Sequence, residues 1–462
     1  MGTETEKGTG GTTMAMTPLR EALETILEED RARFYMPGHK GKLPFPLEDA
    51  APYDITEIEG ADSLYQCDGP LRRTEERLAA AVGAGDTLLS AGGSTLCIQT
   101  MLFLVRRLGR TIVADRNIHR AAVSVMGLLG MDPVWIPLDQ PDEEEGIPGV
   151  ALPPEAERVS QLLDLHPDAA AVYITSPDYY GQMPDVAAIA EICHRRGKLL
   201  LVDNAHGAHL GNFRVALHPM ALGADLCCDS LHKSLPSLTG AAALHLAAPS
   251  LYEDAKYAMS LFGSTSPSYL ILLSAETALE ELEQKGDRWL GLSARVDALR
   301  ELGASMGYGL THTWMRDPVR LTLGFEGLGY TGRTYGVFVR QSGVEPEYVS
   351  DRGAVFLLSP HNTPRDLDRL ERMVEAGGRG RRRQPVPRQE APPLPRQAVS
   401  LSEAMSRPAV FLPVERAAGR VAARLVSTCP PGIPLVVPGE EITPIEVKFL
   451  QSGGIQRVSV IK

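Results

Sequence analysis

Four short runs constrain this chain most: Thr111–Asp115 (TIVAD), Ala170–Thr175 (AAVYIT), Lys198–Asp203 (KLLLVD) and Asp225–Asp229 (DLCCD) are almost continuously apolar. A strand with one wet face alternates apolar and polar residues, whereas a strand buried on both faces does not. Such runs belong to a parallel sheet covered by helices on both sides. Between two of them, Asp185–Arg196 has helical periodicity and stops before Gly197. Strands alternating with helices predict a doubly wound α/β layer. If DLCCD is a strand, Cys227 and Cys228 point to opposite faces.

The pattern changes near Leu299. Val319–Phe325 and Ala354–Leu358 read as strands, Tyr335–Ser342 and Arg365–Ala376 as helices, which suggests a smaller α+β domain. Gly377–Gln397 is rich in Arg and Pro and poor in apolar residues. Five arginines lie between Arg379 and Arg388 with no aromatic residue among them, which favours a solvated tether over a nucleic-acid patch. Globular composition returns from Ser400. The expected organisation is an N-terminal arm (1–35), a large domain (36–298), a small domain (299–376), a linker (377–398) and a C-terminal domain (399–462).

The chain's 462 residues, 44% hydrophobic, suffice for several cores. A formal net charge of −12 argues against general nucleic-acid binding. The polar start MGTETEKGTGGTTM lacks the apolar core of a secretory signal, and no apolar run has membrane-spanning length. A soluble cytoplasmic protein is expected. The six cysteines (Cys67, Cys97, Cys193, Cys227, Cys228, Cys429) form no CxxC pair, which fits reduced thiols.

Four clusters carry chemistry. Ser90–Thr95 (SAGGST) precedes a helix-like segment, Leu96–Leu108. Small residues and a helix N-terminus suit a phosphate, with Ser94 and Thr95 adding hydroxyls, although most such turns are only turns. Asp203–His209 (DNAHGAH) follows an apolar strand, where ligands gather in open α/β sheets. Asp203 there could pair with a ring nitrogen or merely cap a helix, and the D-x-x-H-x-x-H spacing raises a metal alternative. In Asp229–Leu235 (DSLHKSL), Lys233 stands at another strand end beside Ser230, His232 and Ser234. Schiff-base chemistry needs a lysine that is neutral part of the time, as burial and a nearby cation permit; a surface lysine is the bland reading. Ser264–Tyr269 (STSPSY) precedes a helical pattern, Leu270–Gln284, and is either an anion site or a capping turn.

In order along the chain these motifs are joined by YMPGHKGK (Tyr35–Lys42), DITE (Asp54–Glu57), GGST (Gly92–Thr95), DRNIHRA (Asp115–Ala121), SPDYYG (Ser176–Gly181) and PPGIPLVVPGE (Pro430–Glu440). The chain thereby resembles the prokaryotic ornithine/lysine/arginine decarboxylases, specifically the shorter members without an N-terminal receiver-like domain. That family belongs to the aspartate-aminotransferase-like (fold type I) pyridoxal-phosphate enzymes. The resemblance implies a mostly parallel large-domain sheet, a smaller α+β domain and a C-terminal domain.

It also implies roles. Lys233 would carry pyridoxal 5'-phosphate, Asp203 would pair with its ring nitrogen, and His119 would stack on the ring. Ser94, Thr95, Ser230 and His232 would hold the phosphate, and Lys233 or His232 would return a proton to the substrate's α-carbon. The active site would lie at a homodimer interface, with Thr265 or Ser266 reaching the partner's phosphate. Glu440 or Glu441 is expected to face the distal cation of a basic amino acid. No metal is expected. Three positions depart from the family: Asn204 replaces an acidic residue, Gly92 an asparagine, and Cys429 an aromatic. Decarboxylation of arginine, or of lysine or ornithine, is the implied reaction. Transamination, aldol cleavage or a catalytically silent member are the alternatives, because the site and not the fold decides chemistry.

Overall fold

In the computed structural model, residues 17–29, 36–37, 40–139, 147, 150–284, 286–311, 315–379, 394–427 and 434–462 are described. Tyr35, Gly38, His39, Cys429 and most of the Arg/Pro-rich segment lie outside them. Seven strands form the central sheet: β1 (Asp86–Ser90), β2 (Thr111–Asp115), β3 (Asp132–Ile136), β4 (Ala171–Thr175), β5 (Leu199–Asp203), β6 (Leu226–Asp229) and β7 (Ala242–Leu246). Their order is β1-β7-β6-β5-β4-β2-β3. The pairs from β6 to β3 are parallel; β7 runs antiparallel to both β6 and β1.

Double-sided burial explains the apolar runs. Cys227 packs in one core cluster with Val113, Val172, Leu200 and Val202, while Cys228 packs in another with Ile112, Ala114, Tyr173 and Leu201. Successive residues thus enter opposite layers, as the strand period requires. Helices Gly93–Arg106, Arg120–Leu128 and Tyr252–Phe262 cover the Cys228 face; Pro70–Val82, Val186–Arg195 and Tyr269–Gln284 cover the other. Val186–Arg195 begins where the Asp185 side chain accepts from the Ala188 N–H, and it ends before Gly197, whose φ of +65° only glycine adopts without strain.

A four-stranded sheet, β8 (Gly309–Leu310), β9 (Arg320–Gly324), β10 (Tyr348–Val349) and β11 (Gly353–Leu357), forms the small domain in the order β10-β11-β9-β8. The 298/299 boundary falls inside one continuous helix, Asp287–Met306, because its buried face (Trp289, Leu292, Val296, Leu299, Gly303) joins both domains. The C-terminal domain has its own core of Val414, Ala422, Leu450 and Val458. Its helix Leu401–Ser406 lies so close to Arg120–Leu128 that a Cβ at Gly127 would sit 2.2 Å from Met405 Sδ. Among the described residues no helix is long and apolar enough to cross a membrane.

Candidate active site

Parallel strands β5 and β6 end side by side, with Asp203 opposite Cys228 in the register. Their carboxyl ends therefore deliver Asp203 and Ser230–Lys233 to one place, the crevice where open α/β sheets bind ligands. Asp203 is buried: its Oδ2 accepts from Tyr173 Oη at 3.2 Å and its Oδ1 from the Ala205 N–H at 3.1 Å and Cys228 Sγ at 3.6 Å. Lys233 follows on the single-turn helix Leu231–Ser234, its Nζ 3.0 Å from His206 Nε2. Burial pushes the Lys233 amine below the ordinary lysine range; the Asp203 charge opposes this and that of Arg320 adds to it. His119 caps the helix Arg120–Leu128, its Nδ1 accepting from the Ala121 N–H at 3.3 Å. Burial lowers its pKa against the pull of Asp203, and Lys233 lowers it further, so these three side chains share one electrostatic environment.

Ser94 and Thr95 stand in the first turn of Gly93–Arg106, and the Ser230 hydroxyl donates to Ser94 Oγ at 2.8 Å. The phosphate-type cluster of one strand end and the lysine cluster of another are thus joined. Gly93, at φ +67°, makes the turn, and its N–H donates to the Gly240 carbonyl. His232 Nδ1 lies 2.9 Å from the Ala241 carbonyl, which places a ring hydrogen on Nδ1 and leaves Nε2 for a ligand. Ser264, Thr265 and Ser266 are exposed before Tyr269–Gln284. This donor set fits pyridoxal phosphate: hydroxyls and a helix N-terminus for the phosphate, an amine held below the ordinary lysine range for the aldehyde, a buried carboxylate for the ring nitrogen, and an unpartnered buried Oγ on Ser234, the residue after Lys233.

Glu440 is placed otherwise than expected. It is fully buried, and its Oε2 accepts from Arg116 Nη2 at 2.9 Å and from the Val437 N–H at 2.7 Å. An internal guanidinium takes the carboxylate that was expected to meet a substrate cation, so no substrate role is assigned to it. Glu441 instead pairs with Arg396 at 2.7 Å.

Two residues were missed. His206 was read only within the metal alternative, and Arg320, a lone arginine opening an apolar strand, carries no local signal. From β9 Arg320 reaches the large domain: Nη1 donates to the Tyr179 carbonyl at 3.0 Å and to His206 Nδ1 at 3.2 Å, Nη2 to the His206 carbonyl at 3.2 Å. The D-x-x-H-x-x-H triplet is split, since His209 Nε2 turns to Asp317 at 2.9 Å. Another buried cluster, His218, Asp229 and His245, has metal-like composition. There His218 Nδ1 accepts from the Met220 N–H, so the neutral ring carries its proton on Nε2, facing Asp229 Oδ2 at 3.0 Å. His245 adds a bond to the same oxygen at 3.2 Å and Asn204 Nδ2 one to Oδ1 at 2.6 Å. Hydrogen bonds saturate this carboxylate, and Asn204 is its neutral donor.

The sheet order, the strand-end lysine and the small domain define the aspartate-aminotransferase-like, fold type I class. Within it the chain belongs to the Orn/Lys/Arg decarboxylase family: residues 17–302 match the family's major domain and 387–453 its C-terminal domain. A relative named arginine decarboxylase, from Bacillus subtilis, is 29% identical over 94% of this chain and 93% of its own length. The constitutive lysine decarboxylase of Escherichia coli is 24% identical over 56% of this chain and 40% of its own. Among solved structures, a lysine decarboxylase of Francisella novicida aligns over 97% of this chain and 81% of its own with a TM-score of 0.78 at 17% identity. Lysine decarboxylase A from Pseudomonas aeruginosa gives 0.79, also at 17%, over 97% and 80%.

Proposed function

We propose that this chain decarboxylates a basic amino acid, arginine foremost, with pyridoxal phosphate carried on Lys233. The observation that carries this reading is the convergence of the Lys233 amine, the buried Asp203 carboxylate and the linked Ser94 and Ser230 hydroxyls at strand ends of one sheet. The near-full-length relatives named arginine decarboxylase favour arginine. Pyridoxal phosphate, when bound, supplies the conjugated ring that accepts the electron pair of the breaking bond to the carboxylate. Asp203, a buried carboxylate, would pair with the ring nitrogen and favour its protonated form. His119 would cover the ring face, and Ser94, Thr95, Ser230 and His232 would hold the phosphate. Lys233 Nζ would be placed to return a proton to the substrate's α-carbon, with His232 the other candidate donor.

The substrate's distal cation calls for a carboxylate at the mouth of the site, and Glu347 meets that description. It is exposed, its Oε1 accepts from Tyr179 Oη at 2.9 Å, and its charge acts on Lys233. Tyr179 packs edge-on against both His206 and Tyr348. A cytoplasmic homodimer, in which exposed Thr265 and Ser266 reach the partner's phosphate, completes the reading. The test is carbon dioxide release from carboxyl-labelled arginine, lysine and ornithine with added cofactor. Release from at least one, with the matching amine formed, is expected. Silence with all three, while other amino acids react, would favour another α-carbon reaction.

A further inference from the structure

The contacts around Lys233 contain a constraint on protons. Arg320 has only donors, so the 3.2 Å contact from its Nη1 requires His206 Nδ1 to be an acceptor. A neutral imidazole accepting at Nδ1 carries its hydrogen on Nε2. That hydrogen faces Lys233 Nζ at 3.0 Å, and only an amine with a free lone pair accepts it. An ammonium at Lys233 would place two donors against each other in a buried site.

We propose that Arg320 is a positioning residue of this active site: by occupying Nδ1 of His206 it confines the imidazole proton to Nε2, and His206 thereby selects the neutral form of Lys233. The proposal rests on the reading of Lys233 as the cofactor-bearing amine. Arg320 is itself buried and over-determined, held by the Asp178 and Tyr179 carbonyls, by His206 and by Asp317 Oδ2 at 3.5 Å. The small domain therefore sets the protonation state of a large-domain lysine. Asp203 and Cys228 on β5 and β6, and Arg320 and Glu347 from the small domain, act on Lys233; Lys233, Arg320, His119 and His209 act on His206. Burial first, then the Lys233 and Arg320 charges, hold His206 well below the ordinary histidine range, so the imidazole stays neutral through physiological pH.

The test has two readouts on the cofactor-free full-length chain. Nitrogen-15 spectra of ring-labelled histidines, with His206→Asn assigning the signal, report the tautomer directly. Wild-type protein is expected to show His206 protonated on Nε2 and neutral across pH 6 to 8, a window of about one unit around the usual histidine and neutral range. The second readout is the pH dependence of the rate at which pyridoxal phosphate combines with Lys233. Arg320→Met is expected to mix the tautomers and to raise the midpoint by about one unit, about tenfold fewer neutral amines. Arg320→Lys, which keeps a charge and a donor, restores both. His206 on the Nδ1–H tautomer in wild-type protein overturns the proposal without any variant. So does Arg320→Met leaving both tautomer and midpoint unmoved. Cofactor trapped on a different lysine rejects the reading of Lys233, while the tautomer measurement stands by itself.

Discussion

Arg116 Nη2 lies 2.9 Å from Glu440 Oε2, and neither side chain has more than marginal contact with solvent. Arg116 is three residues before His119, in the loop that leaves β2, and Glu440 belongs to the C-terminal domain. The pair ties that domain to the segment presenting His119, and the packing of Leu401–Ser406 on Arg120–Leu128 reinforces the same joint.

Breaking this pair from one side leaves a buried charge. Glu440→Ala is expected to cost about 3–5 kcal/mol in urea denaturation. Arg116 Nη1 and Glu440 Oε1 already lack partners, so the attraction is incompletely satisfied. The double replacement Arg116→Met/Glu440→Leu should therefore lose much less than Glu440→Ala. Equal losses would show that packing, not uncompensated charge, sets the cost.

Asp115, at the end of β2, is pushed by burial up to about 7, against the Asn117 N–H that favours its anion. The folded state thus binds this proton more tightly than the unfolded one. The resulting stability is full below the unfolded carboxylate value of about 4 and is lost as pH rises to about 7. Asp115→Asn should flatten that part of the stability–pH curve, read by thermal denaturation at each pH. An unchanged slope would contradict the assignment.

Much of the fold was readable because two-sided burial leaves its mark in composition: all four apolar runs are strands, within one residue of the expected bounds. β1, β3 and β7 were not singled out, since DTLLS and DPVWI are broken by polar residues or proline and AALHL carries a histidine. That histidine, His245, faces Asp229, a partner sixteen residues away that periodicity does not reveal. The strand-end motifs drew attention to Lys233 and Asp203, while His119 entered only through the family resemblance; the structure groups the three in one electrostatic environment. Arg320 and the internal pairing of Glu440 arise from contacts between domains, which no local window contains.

The buried Asp229 cluster gives a prediction about metal. Its tautomers and its Asn204 bond satisfy the carboxylate with protons, so dialysis against a strong chelator should leave melting temperature and cofactor content unchanged. Asp229→Ala strands three buried donors and should cost at least about 3 kcal/mol by the same denaturation assay. Metal recovered in stoichiometric amount from the purified chain would refute this.

Glu347→Gln should raise KM for the basic substrate by about threefold to tenfold, a surface-accessible charge contact being worth about 1 kcal/mol. Cofactor content should not change, because Glu347 touches Tyr179 and not the phosphate cluster. Equal KM values in the two proteins would remove Glu347 from substrate recognition.

The most direct test is borohydride reduction of the protein saturated with pyridoxal phosphate, followed by peptide mass spectrometry. A single pyridoxyl adduct on the peptide containing Lys233, absent from Lys233→Ala, is the expected result. An adduct confined to other lysines, or none under saturating cofactor, would contradict the account.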